Sequence, residues 1–282
     1  MKISTQTSYL GEQFGDINAV KMIAEAGYDA IDYSMFYMDL KGNPLGSDDY
    51  RSFVTELKKA ADDAGISFNQ THAPFPSYKR GDDEYNEVTF KNIVKSMEIC
   101  AFLGAPHIVV HPFAVYGRNE KEYETEINLK IFDLLIPYCR KYNIKIAIEN
   151  LCGKDFSYTT PEELKELIDM FDDRYIGGLI DTGHAEISGV DASDFITRFG
   201  SEKLLGLHIQ DNNKKNDLHN LPYVCDLDWT KIMTSLKKVG YKGDLTYEAD
   251  KFLRMFPREL ALEGEKFMVA VGKHLRQIFE NA

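Results

Sequence analysis

The sequence predicts a single (β/α)₈ barrel with parallel strands, and three observations support this fold class. Short apolar runs alternate with amphipathic helical patterns along the 282 residues, which is typical of a parallel sheet covered by helices. No linker or change of composition divides the chain. Eight strand-plus-helix units also fit the length, since such a barrel typically takes about 250 residues as one domain. We therefore predict one domain over residues 1–282.

The strands are predicted where aliphatic and β-branched residues form short runs. In order, these runs are Lys2–Ser8, Ala30–Ser34, Ser67–His72, His107–Pro112, Ile144–Leu151, Ile176–Asp181, Leu204–Gln210 and Asp244–Glu248. The helices are predicted between them, where apolar residues recur with helical spacing. They cover residues 16–27, 48–64, 84–103, 120–142, 161–171, 191–199, 229–239 and 258–280.

Several helix ends carry their own sequence signals. Thr160 precedes Pro161 and two glutamates, a pattern that favours a helix start because threonine caps free backbone amides and proline fits the first turn. Gly65 and Gly104 lie where a helix should stop, and glycine readily adopts the left-handed conformation that ends a helix. Three long loops, residues 35–47, 73–83 and 211–227, follow the second, third and seventh strands and are expected to form the walls of a site.

Composition excludes several classes of function. The net charge of -12, from 45 acidic and 33 basic residues, argues against nucleic acid as a partner, since such binding depends on neutralising phosphates. No glycine-rich phosphate motif is present, so no nucleotide cofactor is expected. No apolar run approaches the roughly 18 residues that span a bilayer. Without a secretion signal at its start, the chain is expected to be cytoplasmic.

Four residues of types that commonly bind metals lie at the carboxyl ends of successive predicted strands. They are Glu149, Asp181, His208 and Glu248, spaced by 32, 27 and 40 residues, each near the length of one strand-plus-helix unit. The carboxyl ends of barrel strands share one face, which is where barrel active sites lie. Carboxylates and imidazole together suit a divalent cation, so we predict one metal site at this face.

Glu149 and Glu248 are also the candidate catalytic pair. Each can bind the cation through one carboxylate oxygen and leave the other oxygen free beside a substrate carbon. One glutamate would remove a proton next to a carbonyl and the other would return it, through an enediolate that the cation stabilises. The hypothesis is therefore proton transfer on a small hydroxy-carbonyl compound.

Two further groups of polar residues extend the candidate site. His72 and His111 end the third and fourth strands, and they either contact substrate or hold a second metal that shares Glu149. His184, Asp217 and His219 lie in loops after the sixth and seventh strands, as substrate contacts or as ordinary polar loop residues. His107 begins its strand at the opposite end and is interpreted as structural.

Aromatic residues on the loops that follow the predicted strands are candidates for the lining of the site. They are Phe36, Tyr37, Phe75, Phe113, Tyr223 and Trp229.

The motifs at the four strand ends resemble those of the xylose isomerase-like TIM barrels, a family of sugar isomerases and epimerases whose fold is shared by type IV apurinic endonucleases. The motifs are Ile-Glu-Asn at 148–150, Asp-Thr-Gly-His at 181–184, His-Ile-Gln-Asp at 208–211 and Tyr-Glu at 247–248. The resemblance implies one Mn²⁺, Mg²⁺, Co²⁺ or Zn²⁺ ion on the four strand-end residues, with His184 touching a carbohydrate substrate. Lys214 stands where the ketose 3-epimerases of the family carry an arginine.

Other functions within the same family stay open. The ligand types of the endonuclease branch, which holds three metal ions, also match this sequence, so a multi-zinc phosphodiesterase is the main alternative. A lyase that begins with the same deprotonation is another. The loops after the seventh and eighth strands lack the glycines of a phosphate site between residues 211 and 239, which favours an unphosphorylated substrate. A homo-oligomer is compatible with the sequence, which contains no feature that settles the oligomeric state.

Overall fold

The computed structural model describes residues 1–115, 120–153 and 155–282. Within these ranges, eight parallel strands form one sheet in which each strand lies beside its neighbour in sequence. The strands are β1 (Ile3–Gln6), β2 (Ala30–Ser34), β3 (Ser67–His72), β4 (His107–Val110), β5 (Lys145–Glu149), β6 (Ile176–Asp181), β7 (Leu204–His208) and β8 (Leu245–Tyr247). This order is the one expected when every crossover connects adjacent parallel strands.

The sheet closes on itself at both joins. β1 pairs with β8. On the other side, the amide of Ile209, just past β7, donates to the carbonyl of Thr246 over 2.8 Å, and the amide of Glu248 donates back to the carbonyl of Ile209 over 3.1 Å. These bonds bring the ends of β7 and β8 together, and the predicted (β/α)₈ TIM barrel is confirmed.

The helices surround the barrel, and each predicted helix is present with ends within a few residues of the expected ones. The described helices are α1 (Ser8–Phe14), α2 (Asp16–Ala26), α3 (Tyr50–Ala64), α4 (Asp83–Leu103), α5 (Lys121–Tyr142), α6 (Pro161–Asp169), α7 (Thr182–Ile187), α8 (Ala192–Phe199), α9 (Trp229–Lys238), α10 (Asp250–Leu253) and α11 (Ala261–Asn281). Short 3₁₀ turns occur at Pro44–Gly46 and Arg258–Leu260. α1, α7 and α10 were not predicted, and each begins within three residues of a strand end.

The helix-end signals act as the sequence indicates. The hydroxyl of Thr160 accepts a hydrogen bond from the amide of Glu163 over 3.3 Å, which satisfies one of the free amides at the start of α6. Gly65 and Gly104 end α3 and α4 in the left-handed conformation, with φ of 70° and 85°. A side chain at either position would be strained there.

The barrel interior is polar beside β1, β3 and β8, and it is apolar beside β4, β5 and β6, where Val109, Ala147 and Leu179 form a small separate cluster. The hydroxyl of Ser4 donates to Thr246 over 2.8 Å, and the amide nitrogen of Asn69 donates to both hydroxyls over 3.0 and 3.1 Å. The large aliphatic and aromatic side chains instead fill the layer between strands and helices. Among the described residues, no helix has both the length and the apolar character needed to cross a bilayer.

Candidate metal centre

The four predicted strand-end residues meet at the carboxyl face of the barrel. Glu149, Asp181 and His208 are the last residues of β5, β6 and β7, and Glu248 directly follows β8. One donor atom from each lies within 4.8 Å of the donor atoms of the other three. The parallel register explains this convergence, because Asp181 of β6 lies directly beside His208 of β7.

His208 is the centre of this cluster. Its Nδ1 lies 2.9 Å from Oε1 of Glu149 and 3.1 Å from Oε2 of Glu248. The imidazole is fully buried, as is Glu149, whereas Glu248 is 7% exposed and lines the cleft above. The two glutamates therefore approach one nitrogen atom from two different strands.

Asp181 completes the cluster and also starts α7. Its Oδ1 accepts from the amide of His184 over 2.7 Å, so the aspartate caps this helix. Asn150, next to Glu149, ties the ends of β5 and β6 together: its Oδ1 accepts from the amide of Asp181 over 2.7 Å. The other carboxylate oxygen of Asp181, Oδ2, is buried and has no hydrogen-bond partner among the described residues.

The electrostatics of the cluster reflect three buried acids around one imidazole. Burial raises the pKa of Asp181 to about 7, with the charges of Glu149 and Glu248 adding to the effect. Burial also opposes ionisation of the two glutamates, but the positive charge of His208 outweighs it. The pKa of Glu149 is held well below its usual value and that of Glu248 is lowered to about 2. The same carboxylates raise the pKa of His208 well above its usual value despite burial.

These residues fit a divalent cation. A buried carboxylate oxygen without a hydrogen-bond donor, such as Oδ2 of Asp181, is costly unless a positive charge compensates it. Three carboxylates and one imidazole supply four donors of the types that bind Mn²⁺, Co²⁺ and Zn²⁺, and the carboxylates suit Mg²⁺. The donor set therefore suits one ion held by Glu149, Asp181, His208 and Glu248.

His72 and His111 form a second donor group that shares Glu149. Their Nε2 atoms lie 3.3 and 3.1 Å from Oε2 of Glu149, the oxygen that faces away from His208. Nδ1 of His72 lies 2.7 Å from the carbonyl oxygen of Ala73. Glu149 thus lies between two groups of ligand-type side chains, one on each oxygen.

A third group lies on the opposite side of the centre. Nε2 of His219 lies 2.6 Å from Oδ2 of Asp217, and His184 lies 3.9 Å from the other oxygen of that carboxylate. Burial favours the neutral imidazole, but the negative charges of Glu248 and Asp217 raise the pKa of His219 to about 9. Cys152 is half-buried and joins His184 and Asp217 in this group.

Lys214 is not part of these groups. Its ammonium group lies 3.2 Å from Oε2 of Glu186. The other oxygen of Glu186 accepts from the amide of Ala192 over 2.9 Å, which helps to fix the start of α8. The structure therefore pairs the charge of Lys214 with Glu186, and Lys214 is not among the residues that line the cleft described below.

A cleft of ≈ 740 Å³ opens above the cluster. Phe36, Tyr37 and Phe75, from the loops after β2 and β3, line one side, while Asp217 and His219 from the loop after β7 line another. The ring of Phe36 packs against His72 at 4.7 Å and against Phe75 at 5.0 Å between centroids. The cleft thus has an aromatic wall that covers the second donor group.

Three of the aromatic residues expected in this lining are elsewhere. Tyr223 is exposed and packs against His274 at 5.8 Å between centroids, and the other two, Phe113 and Trp229, are buried. Phe113 is 1% exposed and packs against Phe132 at 5.0 Å. Trp229 is equally buried, and its indole nitrogen donates to Oδ2 of Asp211 over 3.1 Å. Both side chains turn into the helix layer, because large apolar rings at loop-to-helix junctions gain more from burial than from a position in the cleft.

Sequence reasoning missed the residues directly beneath His208. Nε2 of this imidazole lies 3.1 Å from Oδ2 of Asp32 on β2, and the amide nitrogen of Gln70 on β3 lies 3.0 Å from the same oxygen. Asp32 is 1% exposed. In β2, Asp32 and Ser34 alternate with Ile31 and Tyr33, a pattern that fits an inward or a solvent-facing series equally well. β3 is polar at most of its positions and gives no such signal.

Comparison with known proteins agrees with this architecture. The sequence profile described as xylose isomerase-like TIM barrel matches residues 20–269. An uncharacterised protein of Methanocaldococcus jannaschii is 25% identical over 63% of the chain and 62% of its own length, and one of Sinorhizobium fredii matches over 50% of its length. A probable endonuclease 4 of Nitrosopumilus maritimus is 28% identical over 71% of both chains.

Solved structures show the same fold. A D-tagatose 3-epimerase-like protein superimposes with a TM-score of 0.78 over 100% of this chain and 99% of its own, at 20% identity. D-psicose 3-epimerase, crystallised in the presence of D-fructose, gives the same score over 98% of this chain and 99% of its own at 15% identity. At these identities the likeness establishes the fold and leaves the reaction to be argued from the site.

Proposed function

The chain belongs to the xylose isomerase-like TIM barrel family, and we propose that it is a divalent-metal-dependent isomerase or epimerase of a small sugar or related hydroxy-carbonyl compound. One observation carries the proposal. Glu149 and Glu248 reach the same nitrogen of His208, over 2.9 and 3.1 Å, from different strands. Two carboxylates that converge on one cation site from different strands can flank a substrate held there, which is what a proton removal and a proton return on neighbouring atoms require.

The chain's own groups can perform both proton transfers. The pKa of Glu248 is lowered to about 2 by the positive charge of His208, so this carboxylate is ionised at neutral pH and able to accept a proton. Glu248 lines the cleft and is placed to take a proton from a carbon next to the carbonyl. Glu149 lies deeper and would return a proton to the enediolate from the other side when it enters the reaction in its protonated form, and both carboxyl groups would then exchange protons with solvent before the next turnover. A divalent cation bound at the four strand-end residues would act as a Lewis acid on the carbonyl.

The cleft favours a small polyhydroxylated substrate. Its volume of ≈ 740 Å³ is within the range of small-molecule sites. The rings of Phe36 and Phe75 offer an apolar surface for the carbon face of a sugar, while Asp217, His219 and Lys251 line the cleft with groups that can bond hydroxyls.

A substrate screen with added Mn²⁺ tests the proposal. Ketoses, aldoses and inositol-derived ketones would be incubated in deuterated water, and deuterium should enter the product at the reacting carbon. Conversion without any incorporation would favour a hydride shift, and no conversion of any hydroxy-carbonyl compound would refute the proposal. Product analysis also separates isomerisation from a lyase reaction, which begins with the same deprotonation.

The second candidate function is a multi-zinc phosphodiesterase of the endonuclease type. It is favoured by the two additional donor groups, around His72 with His111 and around His184 with Asp217, and by the probable endonuclease 4 relatives. Its test is metal content together with cleavage of duplex DNA that contains an abasic site. Three ions per chain with cleavage would support this function, whereas one ion without cleavage supports the isomerase.

The charges at the mouth of the cleft argue against a DNA backbone as ligand. Arg254, which lines the cleft, pairs with Glu12 over 2.6 Å. The ammonium group of Lys251 donates to the carbonyl of Asp217 over 2.6 Å. Phosphate binding would have to break these contacts, whereas a neutral sugar leaves them intact.

A further inference from the structure

His208 is held from below by a carboxylate that lies outside the four strand-end motifs. We propose that Asp32, anchored by Gln70, is a positioning residue that fixes the ring of His208 so that Nδ1 faces the metal centre. The inference rests on the proposed metal centre and is independent of which substrate the enzyme converts.

The hydrogen bonds around Asp32 define the orientation of the imidazole. Oδ2 of Asp32 lies 3.1 Å from Nε2 of His208 and 3.0 Å from Nε2 of Gln70. The amide nitrogen of Gln70 can only donate, and a carboxylate oxygen can only accept. Oδ2 accepts from Gln70, and it accepts from His208 when the ring carries its proton on Nε2. The amide nitrogen of Gln70 also lies 3.0 Å from Nε2 of His208. Because a hydrogen bond to a carboxylate is the stronger of the two contacts, the proton of His208 is favoured on Nε2, below the ring.

The hydrogen bonds from His208 through Asp32 to Gln70 continue to one further residue inside the barrel. Oε1 of Gln70 lies 3.4 Å from Nε2 of His107, so the oxygen of the amide faces His107 and its nitrogen faces Asp32. Burial lowers the pKa of His107 to about 4, which leaves this imidazole neutral. Four polar side chains, His107, Gln70, Asp32 and His208, thus form a chain from the lower end of the barrel to the metal centre.

Glycine at position 206 leaves room for this chain. A Cβ on Gly206 would lie 2.8 Å from Oε1 of Gln70 and 3.1 Å from Nε2 of His107, and the first distance is too short for carbon and oxygen to remain in place. Alanine at position 206 would therefore displace the side-chain amide of Gln70, and it would do so from the side that faces away from the cleft. This gives a way to disturb the anchor without touching any of the four strand-end residues.

The consequence is a contribution to cation affinity. A carboxylate that accepts from the far nitrogen of a metal-bound histidine fixes the tautomer and makes the near nitrogen more basic, and loss of such a partner typically weakens metal binding about 10- to 100-fold. Asp32 is fully within the barrel and does not line the cleft, so its effect on metal binding must pass through His208.

The test compares Mn²⁺ and Zn²⁺ affinity, by titration calorimetry of the metal-free full-length protein, between wild type and Asp32→Asn. We expect the affinity of the variant to be about 10- to 100-fold lower. Glu265→Gln is the matched control, since it also exchanges a buried carboxylate for an amide, and Glu265 contacts Tyr28 away from the cluster. Its metal affinity should equal that of wild type.

Gly206→Ala provides a second, independent variant. We expect it also to bind the cation more weakly, while Gly264→Ala, whose Cβ meets only the flexible end of Leu253, should not. In the zinc-loaded wild type, ¹⁵N NMR of the imidazole should show the proton of His208 on Nε2. A mixture of tautomers in Asp32→Asn would support the positioning role, which a purely structural contribution to stability would not produce.

The outcomes separate the inference from the proposed function. Equal affinity of wild type, Asp32→Asn and Gly206→Ala would overturn the role of Asp32 while leaving the metal centre intact. Absence of cation binding by the wild type would overturn the metal centre and the inference together. If Asp32→Asn does not fold, unchanged affinity in Gly206→Ala alone overturns the inference, and weakened affinity supports it.

Discussion

Glu265 allows a quantitative prediction about stability and pH. This residue of α11 is 1% exposed, and its Oε2 accepts from the hydroxyl of Tyr28 over 2.7 Å. Burial raises its pKa to about 7, and the charge of Asp250 adds to the effect. Replacement by glutamine keeps an oxygen that can accept from Tyr28 and removes the ionisable group.

The sign and size of the effect follow from the two pKa values. The unfolded chain loses the Glu265 proton near its ordinary pKa, roughly 4.3, whereas the folded protein keeps it until pH is about 7. The folded state is therefore favoured by this group at low pH, and that contribution is lost as pH rises through this window. Since one pKa unit corresponds to about 1.4 kcal/mol, the loss is on the order of 3 kcal/mol above pH 8.

The assay is urea unfolding of wild type and Glu265→Gln, with chelator present, at several pH values between 4 and 8.5. The variant should gain on the order of 3 kcal/mol relative to wild type between the two extremes, equivalent to roughly 5–10 °C in Tm for a protein of this size. Glu263→Gln, a change at an exposed residue of the same helix, should show no such trend. A difference between wild type and Glu265→Gln that is constant with pH would refute the reasoning.

Three further predictions concern the site. Glu149→Gln and Glu248→Gln should each lower kcat by about 10²–10⁴-fold with an unchanged circular dichroism spectrum, and unchanged turnover in both variants would remove the acid/base mechanism. Chelation should lower Tm and added Mn²⁺ should restore it, because a cation at about 100 times its Kd stabilises the folded state by about 2.7 kcal/mol; identical melting curves would contradict the metal centre. Asp211→Ala removes the acceptor of the Trp229 indole and of two loop amides, so it should destabilise the protein by roughly 1–3 kcal/mol and speed amide exchange in residues 211–227. Exposed Asp226→Ala is its control, and equal exchange in both variants would count against that role for Asp211.

The strand ends could be predicted from sequence because one signal fixes both fold and site. In a parallel barrel, the carboxyl ends of the apolar strands lie at the face that carries the active site. Identifying the apolar run of β5 in the sequence therefore also places Glu149 at that face. The spacing to Asp181 and His208 then needs only the length of one strand-plus-helix unit. No side-chain geometry enters this reasoning, and that is why it located these residues correctly at the strand ends.

The same reasoning could not find Asp32, Gln70 or α7. Asp32 alternates with apolar neighbours on β2, as a solvent-facing residue would, and only closure of the barrel turns it inward. α7 begins with Thr182 and Gly183, which have low helix propensity. It forms because Asp181 caps it and because Gly183 packs closely against Gln210, two contacts that depend on tertiary structure.

The position of Glu149 links the number of bound ions to the reaction. One of its oxygens faces His208 at 2.9 Å, and the other faces His72 and His111 at 3.3 and 3.1 Å. If Nε2 of His111 donates a hydrogen bond to that second oxygen and no ion lies there, the oxygen stays available for proton exchange, as the proposed isomerase mechanism requires. If His72 and His111 held a second ion instead, Glu149 would ligate through both of its oxygens and could not act as a base. The same side chain therefore supports isomerisation with one ion and favours hydrolysis with more.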